Sequence, residues 1–189
     1  MKTIAFFGHK KIYKKDKLRE RLIKILNECV PQGYSKFLIG THGDFDSMVL
    51  MSSLNYKKNI NCNLRITIVL TSFNILKRDS LGYCKFDYYK NQGCESVIYN
   101  IEEEYFKNRI IKSNKKMVDE CDLVVCYVDM KKMDSGARKA VKYAIKQGKK
   151  VINLFREDDK PFYGMTKEEI EIEWQKIKKE ISNIKFKHK

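Results

Sequence analysis

The 189 residues are 43% hydrophobic and 33% charged, a soluble globular balance with enough chain to bury a real core. No apolar run approaches the roughly 20 residues that cross a bilayer, and Met1-Lys2-Thr3-Ile4 is too short an apolar start for a secretory signal, so a cytoplasmic protein with no membrane contact is expected. The net charge is +15, but of the 39 basic residues seven are Arg and 32 are Lys, spread along the chain without a dense basic block; that pattern gives weak attraction to polyanions rather than a dedicated nucleic-acid surface, which favours Arg.

In chain order, residues 3–7 read as a first strand that breaks into Gly8-His9-Lys10. Residues 16–29 place Leu18, Leu22, Ile25, Leu26 and Cys29 on one helical face, with Asp16 as cap and Pro31-Gln32-Gly33 as the stop. Residues 36–40 form a second strand, which opens into Gly40-Thr41-His42-Gly43. A helix over 44–58 follows, with Asp44 as its cap and Met48, Val49, Met51, Ser52 and Leu54 turned partly inward. The β-branched run 64–70 is a buried third strand. Residues 71–95 hold Gly82, Gly93, several aromatics and little periodicity; they read as a surface excursion or as a lid.

Residues 96–99 form a short strand, 104–120 a helix and 122–128 a buried central strand. That strand leads to Asp134-Ser135-Gly136-Ala137. The helix 136–147 turns Ala137, Ala140, Val141, Ala144 and Ile145 inward and stops at Gly148. Residues 150–155 form the last strand. The C-terminal segment, about 166–184 and helical from Glu168, carries Ile170, Trp174, Ile177 and Ile181 as a stripe that covers the core or a partner such as a second copy. Strands and helices in alternation predict one α/β domain over 1–189, a Rossmann-like three-layer sandwich with a mainly parallel central sheet and helices on both faces.

Six cysteines show neither CxxC nor zinc-type spacing, which reads as reduced structural thiols. With three histidines, one of them His188 in the tail, no metal is expected, and no motif calls for a cofactor. No Gly-Lys-Ser/Thr follows a glycine loop, and neither GxGxxG nor GxSxG occurs.

The chemistry concentrates where strands break into glycines before helices. Backbone N–H groups at a helix N-terminus receive anions, and in a parallel sheet such loops gather at the C-terminal edge. Gly40 and Gly43 would admit a ligand close to the backbone. Asp46, in the first turn of its helix, sits where the dipole favours a carboxylate; it suits a sugar hydroxyl, or it braces the glycine loop. His9 and His42 are candidate catalysts or simply hydrogen-bonded loop groups. Lys10 and Lys11 offer charge to a phosphate, and Ser135-Gly136 is a second phosphate cradle or an ordinary N-cap.

These residues in this order resemble the SLOG superfamily, the Rossmann-like group that includes DNA-processing protein A and the lonely-guy phosphoribohydrolases. They look most like its YpsA-like branch, over roughly residues 3–155. Phe6-Phe7-Gly8-His9-Lys10 resembles the branch's opening FxGHR, with Lys for Arg. Phe37 to Asp46 resembles its GxxGxFD segment. Ile110 to Asp122 resembles AIxxRNxxMVxxxD, matching at Asn114, Met117 and Asp122 and carrying Ser113 for the Arg. Val125 to Ala144 and Lys150 to Leu154 complete the match, with Ser135-Gly136-Ala137 in place of Gly-Gly-Ala.

The resemblance implies a nucleotide or NAD-derived ligand. Gly8, Gly40, Gly43 and Gly136 would give close backbone approach. Lys10, Thr41 and Ser135 would meet phosphate, with His9 and His42 beside them, and Asp46 and Asn114 would bind sugar or base. It also implies an alternative, hydrolysis of the N-glycosidic bond of a nucleoside monophosphate. Cleaving relatives carry a Glu after the glycine loop, where this chain has Ala137-Arg138-Lys139-Ala140; Glu103, Glu104 or Asp46 would have to substitute. A DNA-binding accessory role through the lysine surface is a further alternative, and related proteins commonly pair, which makes a homodimer an expectation.

Overall fold

The computed structural model describes residues 1–71, 78, 80, 82, 84–99, 105–133, 135–160, 163 and 165–186. The chain forms two compact units, Met1–Phe155 and Arg156–Lys189. The first contains β1 (Lys2–Gly8), α1 (Lys15–Cys29), β2 (Tyr34–Ile39), α2 (Asp44–Asn59), β3 (Arg65–Leu70), α3 (Lys85–Asn91), β4 (Glu95–Ile98), α4 (Phe106–Glu120), β5 (Leu123–Tyr127), α5 (Gly136–Lys146) and β6 (Lys150–Asn153). The second holds the 20-residue helix α6 (Lys167–Phe186).

Six strands make one sheet in the order β4-β3-β2-β1-β5-β6, and every pairing is parallel. The sheet grows from β1 outward to β4, then returns to place β5 on the other side of β1. The strand order therefore reverses between β1 and β5, paired from Ile4 opposite Leu123 to Gly8 opposite Tyr127. In open sheets of this kind the crevice beyond that reversal is where ligands enter, because neighbouring loops diverge to opposite faces.

The two-residue period of β1 explains the layers. Ile4 and Phe6 join a core with Leu18, Leu22 and Leu26 of α1 and Phe45 and Val49 of α2. Ala5 and Phe7, pointing the other way, join Met117 and Val118 of α4 and Ala140, Val141 and Ala144 of α5. Burying both faces of β1 and β5 requires apolar residues at every position, and all of Leu123 to Tyr127 are buried. The expected three-layer α/β sandwich is the observed one, with a fully parallel sheet.

Several local expectations are corrected. Asp16 does not cap α1; the N-cap is Lys14, in a left-handed conformation at φ 47° with no side-chain cap bond, and Asp16 instead pairs with Arg19 at 3.3 Å. Asp44 does not cap α2 either: Gly43 holds that position and Asp44 is the first helical residue, exposed to solvent. Met51 and Ile145, expected on inner faces from the periodicity, are 51% and 57% exposed. Each sits one position from the buried row of its helix, where the 100° step carries the side chain past the contact. Gly148 does close α5: at φ 69° it donates its N–H to Ile145 O, and Lys149 N–H reaches back to Ala144 O, a left-handed stop that favours glycine. Of the possible lid, residues 71, 78, 80, 82 and 84–95 are described, the last stretch including α3; residues 72–77, 79, 81 and 83 lie outside the described residues. In α6, Trp174 is 45% exposed.

Candidate functional site

At the C-terminal edge of the sheet, over the β1/β5 reversal, lies a crevice of about 250 Å³, near the lower end of small-molecule sites. The β1 loop contributes Gly8, His9 and Lys10, the β2 loop Gly40 and His42, and the first turn of α2 Asp46. The β5 loop and the start of α5 contribute Lys132, Ser135, Gly136 and Ala137. Asn114 of α4 adds an amide, and Phe6, Phe7, Ile110 and Met117 make the apolar part of the wall. The glycine loops that the sequence singled out therefore do converge.

The convergence has a packing cause. A Cβ on Gly8 would fall onto the Phe45 side chain, and a Cβ on Gly43 would lie 2.9 Å from Lys10 Cα and 3.2 Å from His9 O. Asp44 N–H donates to Lys10 O at 2.9 Å across the same contact. The close approach at Gly8 and Gly43 is thus made by the chain itself: α2 docks onto the end of β1 because neither residue has a side chain. Gly43 and Thr41 do not line the crevice. Gly136 does, and nothing stands within 4 Å of where its Cβ would be.

Asp46 performs one of the two roles expected of it. Its Oδ2 accepts the His42 N–H at 2.8 Å, which braces the turn after β2, and Gly40 leaves room for the carboxylate (an added Cβ would be 3.1 Å from Oδ2). Burial pushes its pKa up to about 6, while the His42 and Gly43 amides pull it part of the way back. The side chain is thus held in the crevice as a carboxyl group that changes charge near neutrality.

The histidines differ in what they do. The His42 ring meets Thr71 Oγ1 at 2.9 Å through Nε2, tying the β2 loop to the end of β3. The His9 ring lies edge-on to buried Tyr127, with centroids 6.3 Å apart. Its Nε2 accepts the Asp129 N–H at 2.7 Å, and its Nδ1 lies 3.4 Å from Ser135 Oγ. Burial, then the Lys132 charge, lower its pKa; Asp129 opposes them.

The start of α5 fits an anion. Ser135 is its N-cap and accepts the Arg138 N–H at 3.2 Å, and no acidic residue occupies the first turn. Lys10 and Lys132 stand exposed at the rim. Asp46 and Asn114 sit among the same lining residues, so the crevice offers both positive and hydrogen-bonding groups. Lys132 and the apolar wall of Phe6, Phe7, Ile110 and Met117 carry no site role in the sequence reading. Lys132 precedes the Ser135-Gly136 cradle by three residues, but nothing in its local context distinguishes it from the other lysines. Glu103 and Glu104 lie outside the described residues, as does Asp134. Among the described residues, no group of three or more His, Cys, Asp or Glu could hold a metal ion, and no helix is long and apolar enough to cross a membrane.

No protein-family model matches this chain, and no curated protein matches it.

Proposed function

We propose that the crevice binds a nucleotide or nucleotide-derived small molecule, in a sensing, sequestering or regulatory role, as the resemblance to SLOG proteins implies. The observation that carries this reading is the meeting of three strand-to-helix loops over the β1/β5 reversal, with the start of α5, Lys10 and Lys132 beside Asp46 and Asn114. A phosphate at the α5 N-terminus would gain from the helix dipole and the two lysines. A carboxylate repels phosphate and attracts hydroxyls, so Asp46 suits the sugar. Calorimetry with AMP, NAD and ADP-ribose tests the reading. Saturable heat with at least one of them, together with a rise in unfolding temperature that grows with ligand concentration, is expected. Absence of both with all three ligands at millimolar concentration overturns it.

A hydrolytic reading has one observation in its favour. A carboxyl group with a pKa of about 6 inside the crevice has the property of a general acid that protonates a leaving base. The stretch Ala137-Arg138-Lys139-Ala140 lacks the Glu of cleaving relatives, which makes ligand binding without turnover the leading reading. Free base released from AMP by the wild-type protein and not by Asp46→Asn would reverse that order.

A further inference from the structure

We propose that His9 is a positioning residue for the anion end of the crevice: it fixes Ser135 Oγ as a hydrogen-bond donor toward the ligand. The inference rests on the binding reading above and adds the selectivity of the subsite and the group that controls it.

The neighbours of the ring fix where its proton sits. The Asp129 backbone N–H can only donate, and it points at His9 Nε2 from 2.7 Å. Nε2 must therefore be unprotonated, and in a neutral imidazole the proton is then on Nδ1. Nδ1 faces Ser135 Oγ at 3.4 Å, so the ring donates and the hydroxyl oxygen accepts. The same oxygen accepts the Arg138 N–H at 3.2 Å. A serine oxygen has two lone pairs and one proton. Both lone pairs are taken, so the O–H is left to donate, beside Gly136 where the wall is open. A ligand group there must accept. An ionised phosphate ester does so with every oxygen, whereas an amide N–H or an ammonium would meet a second donor.

The geometry also excludes the more familiar serine–histidine arrangement. For His9 to take a proton from Ser135, Nδ1 would need its lone pair and Nε2 its proton, which would then face the Asp129 N–H. The pair is set for recognition rather than for generating a nucleophile.

The position of the ring makes this more than a local detail. His9 follows β1, while Asp129 and Ser135 follow β5, so one imidazole ties together the two loops that part at the strand reversal. Protonation would put Nε2–H against the Asp129 N–H and break the tie. The groups facing the ring are Lys132 and Asp129 from the β5 loop, Tyr127 from β5 and Ser135 at the head of α5. Burial and Lys132 keep the ring neutral, and Asp129 opposes them.

The test has two arms. In the ligand-free protein at pH 7.5, ring ¹⁵N spectra, with His9 assigned by its loss in His9→Gln, should show a protonated Nδ1 and a bare Nε2. The Asp129 amide should shift as His9 titrates. An Nε2–H ring overturns the inference whatever the ligand does.

The second arm measures binding of AMP and of adenosine, which lacks the anion. His9→Leu should weaken AMP by about tenfold, the loss of one well-placed hydrogen bond, and leave adenosine within twofold. Glutamine carries one acceptor and one donor at nearly the imidazole spacing and does not titrate, so His9→Gln should recover most of the AMP affinity. In wild type, AMP affinity should fall as the pH drops through the His9 titration, beyond the loss that phosphate's own ionisation causes in His9→Gln. AMP affinity unchanged in His9→Leu, or equally poor in Leu and Gln variants that both fold, sinks the inference. Wild-type protein that binds neither AMP nor adenosine sinks the binding reading instead, and the ring spectrum still decides the tautomer.

Discussion

Gly43 and Gly136 both begin helices of the candidate site, yet a side chain at each meets different surroundings, and serine at Gly43 makes the difference a question of sign. The Gly43 backbone is extended, at φ −158° and ψ 173°, so any residue can adopt it. Serine is also a better N-cap than glycine by a few tenths of a kcal/mol. If local preferences governed, Gly43→Ser would stabilise the protein slightly. The packing says the opposite. The new Cβ would be 2.9 Å from Lys10 Cα, whereas ordinary contact begins at 3.4 Å. The loops after β1 and before α2 would have to separate by 0.5 Å (3.4 − 2.9). No rotamer change relieves the overlap, because Lys10 Cα and His9 O belong to the main chain. The Asp44 N–H to Lys10 O bond at 2.9 Å spans the same gap and would stretch with it. Overpacking of this kind costs about 1–3 kcal/mol, several times the capping gain. For a chain of this size each kcal/mol lowers the melting temperature by roughly 2–4 °C. Urea denaturation of wild type, Gly43→Ser and Gly136→Ala should therefore show a clear loss for the first variant. Gly136→Ala should stay within about 0.5 kcal/mol of wild type, as an uncrowded substitution does. Gly43→Ser as stable as wild type, or more so, would refute the claim that bare backbone holds the two loops together.

The remaining predictions concern groups whose ionisation the fold has changed. Folding raises the Asp46 pKa from 3.8 to about 6, so between those values the native state binds more protons than the unfolded chain. The contribution of Asp46 to stability is therefore full below pH 4 and is lost as pH rises through 6. Asp46→Asn should remove that part of the slope, so that the change in unfolding free energy from pH 4.5 to pH 7 is more positive than in wild type; equal changes in the two proteins would contradict it. Burial pushes the Cys121 and Cys126 thiols up to about 11 and about 12, while Cys62 is exposed. Brief treatment of the native protein with a thiol reagent, followed by mass spectrometry of peptides, should label Cys62 and spare the other two.

How much of this was legible in the sequence depended on whether a residue's role is set by its neighbours in the chain or by distant ones. Leu18, Leu22 and Leu26 announce the buried face of α1 because helix spacing alone aligns them, and the continuous apolar run Leu123 to Tyr127 announces a strand covered on both sides. Caps were less legible. Asp16 and Asp44 are residue types that favour an N-cap, but the caps are Lys14, two residues before Asp16, and Gly43, one before Asp44, shifts that type and pattern do not resolve. The glycine loops were found for a reason that proved only partly apt. The sequence pattern points to places for a ligand, whereas Gly8 and Gly43 make room for Phe45 and for the backbone of Lys10. Both explanations leave the same mark in a sequence, a glycine after a strand. Only the packing of the folded chain distinguishes them.

That ambiguity bears on how the crevice is built. A site at a strand reversal needs its loops to part, because the connections from β1 and β5 cross to opposite faces of the sheet. It also needs those loops to be held, because a gap lined by unsupported backbone would collapse or fray. The packing glycines supply the hold on one side: Gly8 and Gly43 let α2 press against the end of β1, which brings the Asp46 carboxylate to its place under the β2 turn. On the other side, among the described residues, the β5 loop has no comparable glycine contact to β1. Its described ties across the gap are polar, from His9 to the Asp129 amide and the Ser135 hydroxyl, and from the His9 N–H to Tyr127 O at 3.2 Å. One wall of the crevice is therefore set by steric fit and the other by hydrogen bonds to a titratable ring. The Gly43–Lys10 contact does not respond to pH, and Asp46, the titrating group on that wall, holds the β2 turn rather than this contact; the imidazole does respond, so acidification should loosen the Asp129 tie before the Asp44–Lys10 contact. Hydrogen exchange of the Asp129 amide, compared with that of the Asp44 amide as pH is lowered and corrected for intrinsic exchange, would show the first losing protection ahead of the second; loss in the reverse order would mean that His9 is not what holds the β5 loop.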